Sequence, residues 1–168
     1  MGSTVVHLTI GDPSAATLAL VAGVALAKTV AALAPHVGAQ LKWPNDLLID
    51  GAKCAGILME RTGNSVVIGI GVNLTAAPEL PDRPTATLAG KGVSLDRDHF
   101  AGALGIAMID ALWTWRQEGV ASIVRAWIPQ AHPIGTPFAC PNRASTAFST
   151  ALPRTARCAC AARAGRPC

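Results

Sequence analysis

Leu41-Lys42-Trp43-Pro44-Asn45-Asp46 is followed within a few residues by Lys53-Cys54-Ala55-Gly56-Ile57-Leu58, and then by Val67-Ile68-Gly69-Ile70-Gly71-Val72-Asn73-Leu74. The pattern through these blocks is that of consecutive strands. Gln40–Trp43 enters as a short strand, Leu47–Ile49 and Ala55–Glu60 flank the tight turn Asp50-Gly51, and Thr62-Gly63-Asn64 turns the chain into Ser65–Leu74. The last run is so apolar and β-branched that it predicts a central strand with both faces covered.

Working outward, Thr4–Ile10 reads as a further strand ended by Gly11-Asp12-Pro13. Asp12 is expected to cap, and Pro13 to open, a mostly buried helix running to about Leu33, with Leu18, Val21, Ala22, Ala25 and Val30 close to helical spacing. Pro35-His36-Val37-Gly38 breaks it. Residues 76–93 form a Pro-rich connection, after which Asp96 caps an amphipathic helix through Gln117, its inner face made by Phe100, Leu104, Ala107, Met108, Ala111, Leu112 and Trp115. A shorter helix, Val120–Trp127, follows. The fold class is α+β, a central mixed or mostly antiparallel sheet packed by helices.

At 168 residues and 51% hydrophobic, the chain holds one moderate domain with ample core. The net charge of +4 is unevenly placed. Residues 1–138 carry nine Lys/Arg against ten Asp/Glu, whereas residues 139–168 carry five Arg and no acid. A nearly neutral body predicts no nucleic-acid partner. Cys54 stands alone in the body, which fits a reduced, cytoplasmic protein, while Cys140, Cys158, Cys160 and Cys168 fall in the tail. Cys158-Ala159-Cys160 lacks the spacing of a zinc knuckle, so no metal site is expected. The apolar run Ala15–Ala27 has no basic leader and is too short for a bilayer, so no membrane partner is expected. Residues 139–168 have no apolar period, and disorder is expected there.

The chemistry concentrates around Lys42–Asp46. Pro44 fixes its own φ and biases Trp43 toward an extended backbone, so the loop presenting Asn45 and Asp46 is stiff. Lys42 and Lys53 can converge on an anion, phosphate or a carboxylate becoming an acyl phosphate, and Asp46 can accept a proton or face a metal–nucleotide. Two surface lysines and a turn-forming Asn-Asp pair account for the same residues without any ligand. Gly69 and Gly71 within a strand mark either a close approach by a ligand or a bulge.

The three blocks, in order and at this spacing, resemble the motif series of the biotin–protein ligases over roughly residues 2–137. The resemblance implies a two-step reaction with ATP and biotin as substrates and Mg2+ accompanying the nucleotide: biotinyl-adenylate forms first, and a lysine of a carboxylase's biotin carboxyl carrier domain then takes the biotinyl group. It implies that Lys53 binds at the biotin carboxylate and adenylate phosphate, and that Asp46 lies at the reacting centre and helps deprotonate the acceptor lysine. Gly56 and Ile57 are implied at the biotin ring partly through backbone groups, Gly69, Gly71 and Asn73 beside the adenylate, and Lys42, Trp43 and Asn45 in mixed structural and binding roles. A lipoate ligase of similar fold is the weaker match, because the Lys-Trp-Pro-Asn-Asp block belongs to the biotin branch.

Two departures stand out. The family's Ser-Thr-Asn segment and its Gly-Arg-Gly-Arg-x-Gly-Arg loop occur nowhere in these 168 residues. The C-terminal SH3-like barrel of the family has no counterpart in residues 139–168, where GC-rich codons for Ala156–Ala161, shifted by one base, read as Gly-Ala-Leu-Arg-Leu-Arg. The expectation is a partial ligase domain over residues 1–137 and a disordered or frameshifted tail over 138–168, with impaired activity or, alternatively, a non-catalytic remnant. A sheet lacking its first strands is expected to expose an edge and to self-associate.

Overall fold

A computed structural model describes residues 1–81 and 83–133, together with the backbone of 137–139 and 146–148. The chain divides into two compact units, Met1–Ala131 and His132–Cys168. In the second, β6 (Pro137–Ala139) and β7 (Thr146–Phe148) pair antiparallel. Apart from these two strands, the expectations for the tail and its cysteines lie outside the described residues.

The first unit is built on β1 (Gly2–His7), α1 (Leu18–Leu33), β2 (Gln40–Lys42), β3 (Asp46–Ile49), β4 (Ala52–Thr62), β5 (Ser65–Val72), α2 (Arg97–Glu118) and α3 (Val120–Trp127). Its five strands form one sheet in the order β1-β5-β4-β3-β2, with every neighbouring pair antiparallel. The β3–β4 turn follows from its residues. Asp50 (φ 49°) and Gly51 (φ 78°) both take the left-handed backbone that a two-residue hairpin demands.

One face of this sheet carries Val6, Leu41, Leu47, Ile49, Ile57, Val66, Ile68 and Ile70, all buried. α1 touches β2, β3 and β4 on one side and α2 and α3 on the other, so 12 of its 16 residues are buried. A helix enclosed on all sides has to be apolar all round, as this one is. Residues Ala15–Leu33 are thereby long and apolar enough to cross a membrane, which corrects the expectation from Ala15–Ala27 alone; in the fold they are mostly buried.

Two further expectations are corrected. β5 is interior to the sheet but covered on one face only: Val66, Ile68 and Ile70 are buried, whereas Val67 and its neighbours Val5 and Leu58 face outward and are exposed. Both helical layers lie on the other side. Asp12 does not cap α1, which begins after a short 3-10 turn at Ala15–Thr17. Its carboxylate instead accepts from the Thr9 backbone N–H (2.9 Å) and pairs with Arg116 Nε (3.1 Å) across to α2.

The capping of α2 by Asp96 is as expected, its Oδ1 accepting from the N–H groups of Asp98 and His99 at 2.9 Å each. Phe100, Met108, Ala111 and Trp115 make the buried face of α2. Trp115 is fully enclosed, and its indole N–H donates to Thr17 Oγ1 at 2.8 Å, tying α2 to the start of α1.

Trp115→Ala is expected to lower unfolding free energy by about 3–5 kcal/mol in urea titrations followed by circular dichroism. Trp113→Ala, at a position 60% exposed on the same helix, is expected to stay within about 0.5 kcal/mol. Burial pulls the Asp12 carboxyl upward, but hydrogen bonds from Thr9 and Arg116 and the Arg116 charge outweigh it and hold its pKa below the usual carboxylate value. A depressed carboxylate stabilises above its unfolded pKa of about 3.9 and loses that contribution as pH falls through the lower folded value. Asp12→Asn should therefore be less stable than the parent at neutral pH, with the two urea midpoints converging below about pH 3.

Candidate active site

The site lies on the open face of the sheet. Across four strands the register aligns Lys42, Asp46, Gly56 and Gly71, with Leu58 opposite Gly69 in a nearby row. Side chains paired across strands share a face, so the carboxylate of Asp46 sits beside a strip of backbone bare at Gly56, Gly69 and Gly71. A Cβ at Gly69 would meet the Leu58 carbonyl oxygen and one at Gly71 the Met1 side chain, each at an ordinary contact distance of 3.8 Å, so neither glycine is required by a clash.

Lys53 reaches this face through a register shift. Leu47 pairs with Ala55 but Leu48 pairs with Lys53, so Cys54 is an extra residue in β4. In regular alternation Lys53 would point with Ala55 and Ile57 into the core. The bulge turns it to the side of Asp46 and Gly56. Its ammonium lies against Asp46 Oδ1, and Gly56 makes room for it: a Cβ there would come within 3.1 Å of Lys53 Nζ and 3.6 Å of Asp46 Oδ1.

Asp46 is only 12% exposed, and Lys53 is the partner of its buried Oδ1. The second oxygen faces a residue that the sequence reading did not single out: Arg83 Nη1 stands 3.6 Å from Asp46 Oδ2. Nothing local marks Arg83, since it lies in a Pro-rich connection 37 positions away in sequence. The one available hint was an isolated cation among prolines.

The other anticipated residues divide by surroundings. Asn45 grips β4, its side-chain amide donating to the Ile57 carbonyl (2.9 Å) while its own carbonyl accepts from the Ile57 N–H (2.8 Å). Ile57 therefore has both backbone groups engaged and its side chain in the core. Asn73 holds the connection after β5: its amide donates to the carbonyls of Ala86 (3.1 Å) and Lys53 (3.3 Å), and its N–H to the Cys54 carbonyl (2.8 Å). Trp43 precedes a cis peptide bond to Pro44 and packs edge-on to Trp127 of α3, ring centroids 6.5 Å apart. Lys42 shares the Asp46 row at β2. Cys54 is buried, and burial pushes its thiol up to about 11 despite a contact to the Asn73 carbonyl, so it is protonated and unreactive at neutral pH. The structure thus gathers Asp46, Lys53, Gly56 and Gly71 on one open face, with Lys42 in the same register row, and leaves Asn45, Ile57, Asn73 and Trp43 in bracing contacts.

Among the described residues no group of three His, Cys, Asp or Glu side chains could hold a metal ion.

Comparison with known proteins bears on the fold and the family. The biotin/lipoate A/B protein ligase family matches residues 7–74. The biotin–[acetyl-CoA-carboxylase] ligase of Paracoccus denitrificans is 36% identical over 142 residues, covering 76% of this chain and 58% of that protein. The enzyme of the same name from Mycobacterium tuberculosis is 41% identical over 102 residues, covering 59% of this chain and 38% of that protein. The chain thus spans between 38% and 58% of the length of these relatives. The crystal structure of the biotin protein ligase from Aquifex aeolicus superposes with a TM-score of 0.72 at 19% identity, over 90% of this chain and 71% of that one, and shows the same fold. The three motif blocks all fall within the span matched by the biotin/lipoate A/B protein ligase family, and the chain has the fold of a biotin ligase catalytic domain.

Proposed function

We propose that this chain carries the reacting centre of an ATP-dependent biotin–protein ligase. The observation that supports it most is the Lys53 ammonium held over Gly56 against the mostly buried Asp46 carboxylate, on a sheet face where Gly69 and Gly71 carry no side chains of their own. In the first step the biotin carboxylate attacks the α-phosphate of ATP, forming biotinyl-adenylate and releasing pyrophosphate. Negative charge builds on the phosphate oxygens, and Lys53 is the ammonium placed to meet it. Mg2+ bound with the triphosphate supplies further neutralisation of phosphate charge. In the second step the amine of an acceptor lysine attacks the acyl carbon, AMP leaves, and Asp46 takes the proton that the attacking amine must lose.

In the same reading Gly56, Gly69 and Gly71 admit biotin and the adenylate close to the backbone. Lys42 adds positive charge along the Asp46 row, while Trp43, Asn45, Ile57 and Asn73 act chiefly by holding that backbone in place. The acceptor is the biotin carboxyl carrier domain of a carboxylase, and the setting is cytoplasmic. β1 is the terminal strand of the sheet, and self-association through its outer edge belongs to the proposal. So does the division into a partial catalytic domain over 1–137 and a separate tail, which the genomic DNA beyond the codon for Phe138 would test.

Biotin-dependent pyrophosphate release by the full chain is the deciding experiment; its absence, together with no heat on titrating biotin and ATP, would favour a remnant that no longer catalyses. Given activity, Lys53→Ala should slow adenylate formation by about 10²–10³-fold. Asp46→Asn should slow transfer from preformed biotinyl-adenylate to a carrier lysine more than it slows adenylate formation, by about 10²-fold. Gly56→Ala, which pushes on the Lys53 ammonium, should cost about 10–10²-fold in adenylate formation with little change in the urea midpoint.

A further inference from the structure

Among the described residues of 76–93 there is no regular strand, yet part of this connection is fastened to Lys53 itself. The Lys53 N–H donates to the Pro84 carbonyl and the Ala86 N–H donates to the Lys53 carbonyl, both at 2.9 Å, so Thr85 lies alongside Lys53 as a one-residue parallel bridge. Asn73 ties Ala86 to the same carbonyl, and Thr85 Oγ1 donates to the Pro78 carbonyl at 3.0 Å, closing the loop. Two residues before this clamp, Arg83 points at Asp46 Oδ2, while Lys53 occupies Oδ1.

One carboxylate thus faces two cations, one at each oxygen. With Lys53 alone, Asp46 and Lys53 would neutralise each other, and any movement of Lys53 toward an anion would strand a mostly buried carboxylate without a partner. With Arg83 present, Asp46 stays paired when Lys53 leaves it.

Resting on the ligase reading above, we propose that Arg83 is a positioning residue that holds Asp46 from the connecting segment, freeing the Lys53 ammonium to transfer to the reacting carboxylate and phosphate. Arg83 acts through Asp46 and Lys53. Its side chain is 39% exposed, against 26% for Lys53 and 12% for Asp46, so it forms the outer member of the triad.

Two measurements on the full chain test this separately. In the ligand-free protein, competitive acylation by acetic anhydride read by mass spectrometry should show Lys53 reacting roughly threefold more slowly in Arg83→Ala, where Asp46 holds the ammonium alone. Lys28 serves as internal reference, and Arg83→Lys should restore the parent rate; an unchanged Lys53 rate in Arg83→Ala would overturn the proposal. In biotin-dependent pyrophosphate release, Arg83→Ala should lower kcat about tenfold with KM for ATP nearly unchanged, and Arg83→Lys should recover most of it. A loss confined to KM for ATP would make Arg83 a phosphate contact and also overturn the proposal. If the parent chain releases no pyrophosphate, the ligase reading fails, and the acylation experiment still decides whether Arg83 governs the Asp46–Lys53 pair.

Discussion

A carboxylate nearly out of solvent is the constraint around which this molecule is arranged. Asp46 is 12% exposed, and a carboxylate so far out of solvent is costly unless cations or donors are brought to it. Neither cation reaches it by sequence proximity alone. Lys53 arrives by way of the Asp50-Gly51 hairpin turn and the extra residue at Cys54, and Arg83 by way of a connection clamped to the Lys53 backbone. Turn, bulge and clamp all bear on the same few ångströms.

The distribution of apolar residues explains why that carboxylate has an open sheet face in front of it. α1 fills the space between the sheet and the outer helices, and with nearly every side of α1 in contact, the helical layers all stack on one side of the sheet. The other side keeps glycine at positions 56, 69 and 71, beside outward-facing Leu58 and Val67. Such a surface sets a charged cluster beside exposed apolar side chains. Its rigidity comes from contacts well away from it: Asn45 on Ile57, Trp43 on Trp127, and Asn73 on the connecting segment.

The order of elements, the hairpin at Asp50-Gly51, the Asp96 cap and the short helix Val120–Trp127 were legible because each depends on local chemistry: left-handed backbone at a tight turn, a capping carboxylate, helical periodicity. Asp12 misled because an acid before a proline fits a cap locally, while Arg116, more than a hundred residues on, offers it a stronger partner. The run Ser65–Leu74 misled in a similar way. Its near-continuous apolar run, with Val67 between Val66 and Ile68, suggested cover on both faces, but cover is decided by where helices pack. The bulge had a faint local trace, the consecutive apolar pair Cys54-Ala55 interrupting the alternation, and Arg83 had almost none.

By itself the amino-acid sequence determined the α+β class, the strand and helix inventory, the motif blocks and, through them, the family, because these rest on periodicity, turn chemistry and residue spacing along the chain. Tertiary structure alone decided which face of the sheet stays open, that Lys53 turns to that face instead of the core, and that Arg83 joins Asp46. Those outcomes depend on register and on contacts between distant segments, and a one-residue shift in strand pairing reverses the side to which every following residue points.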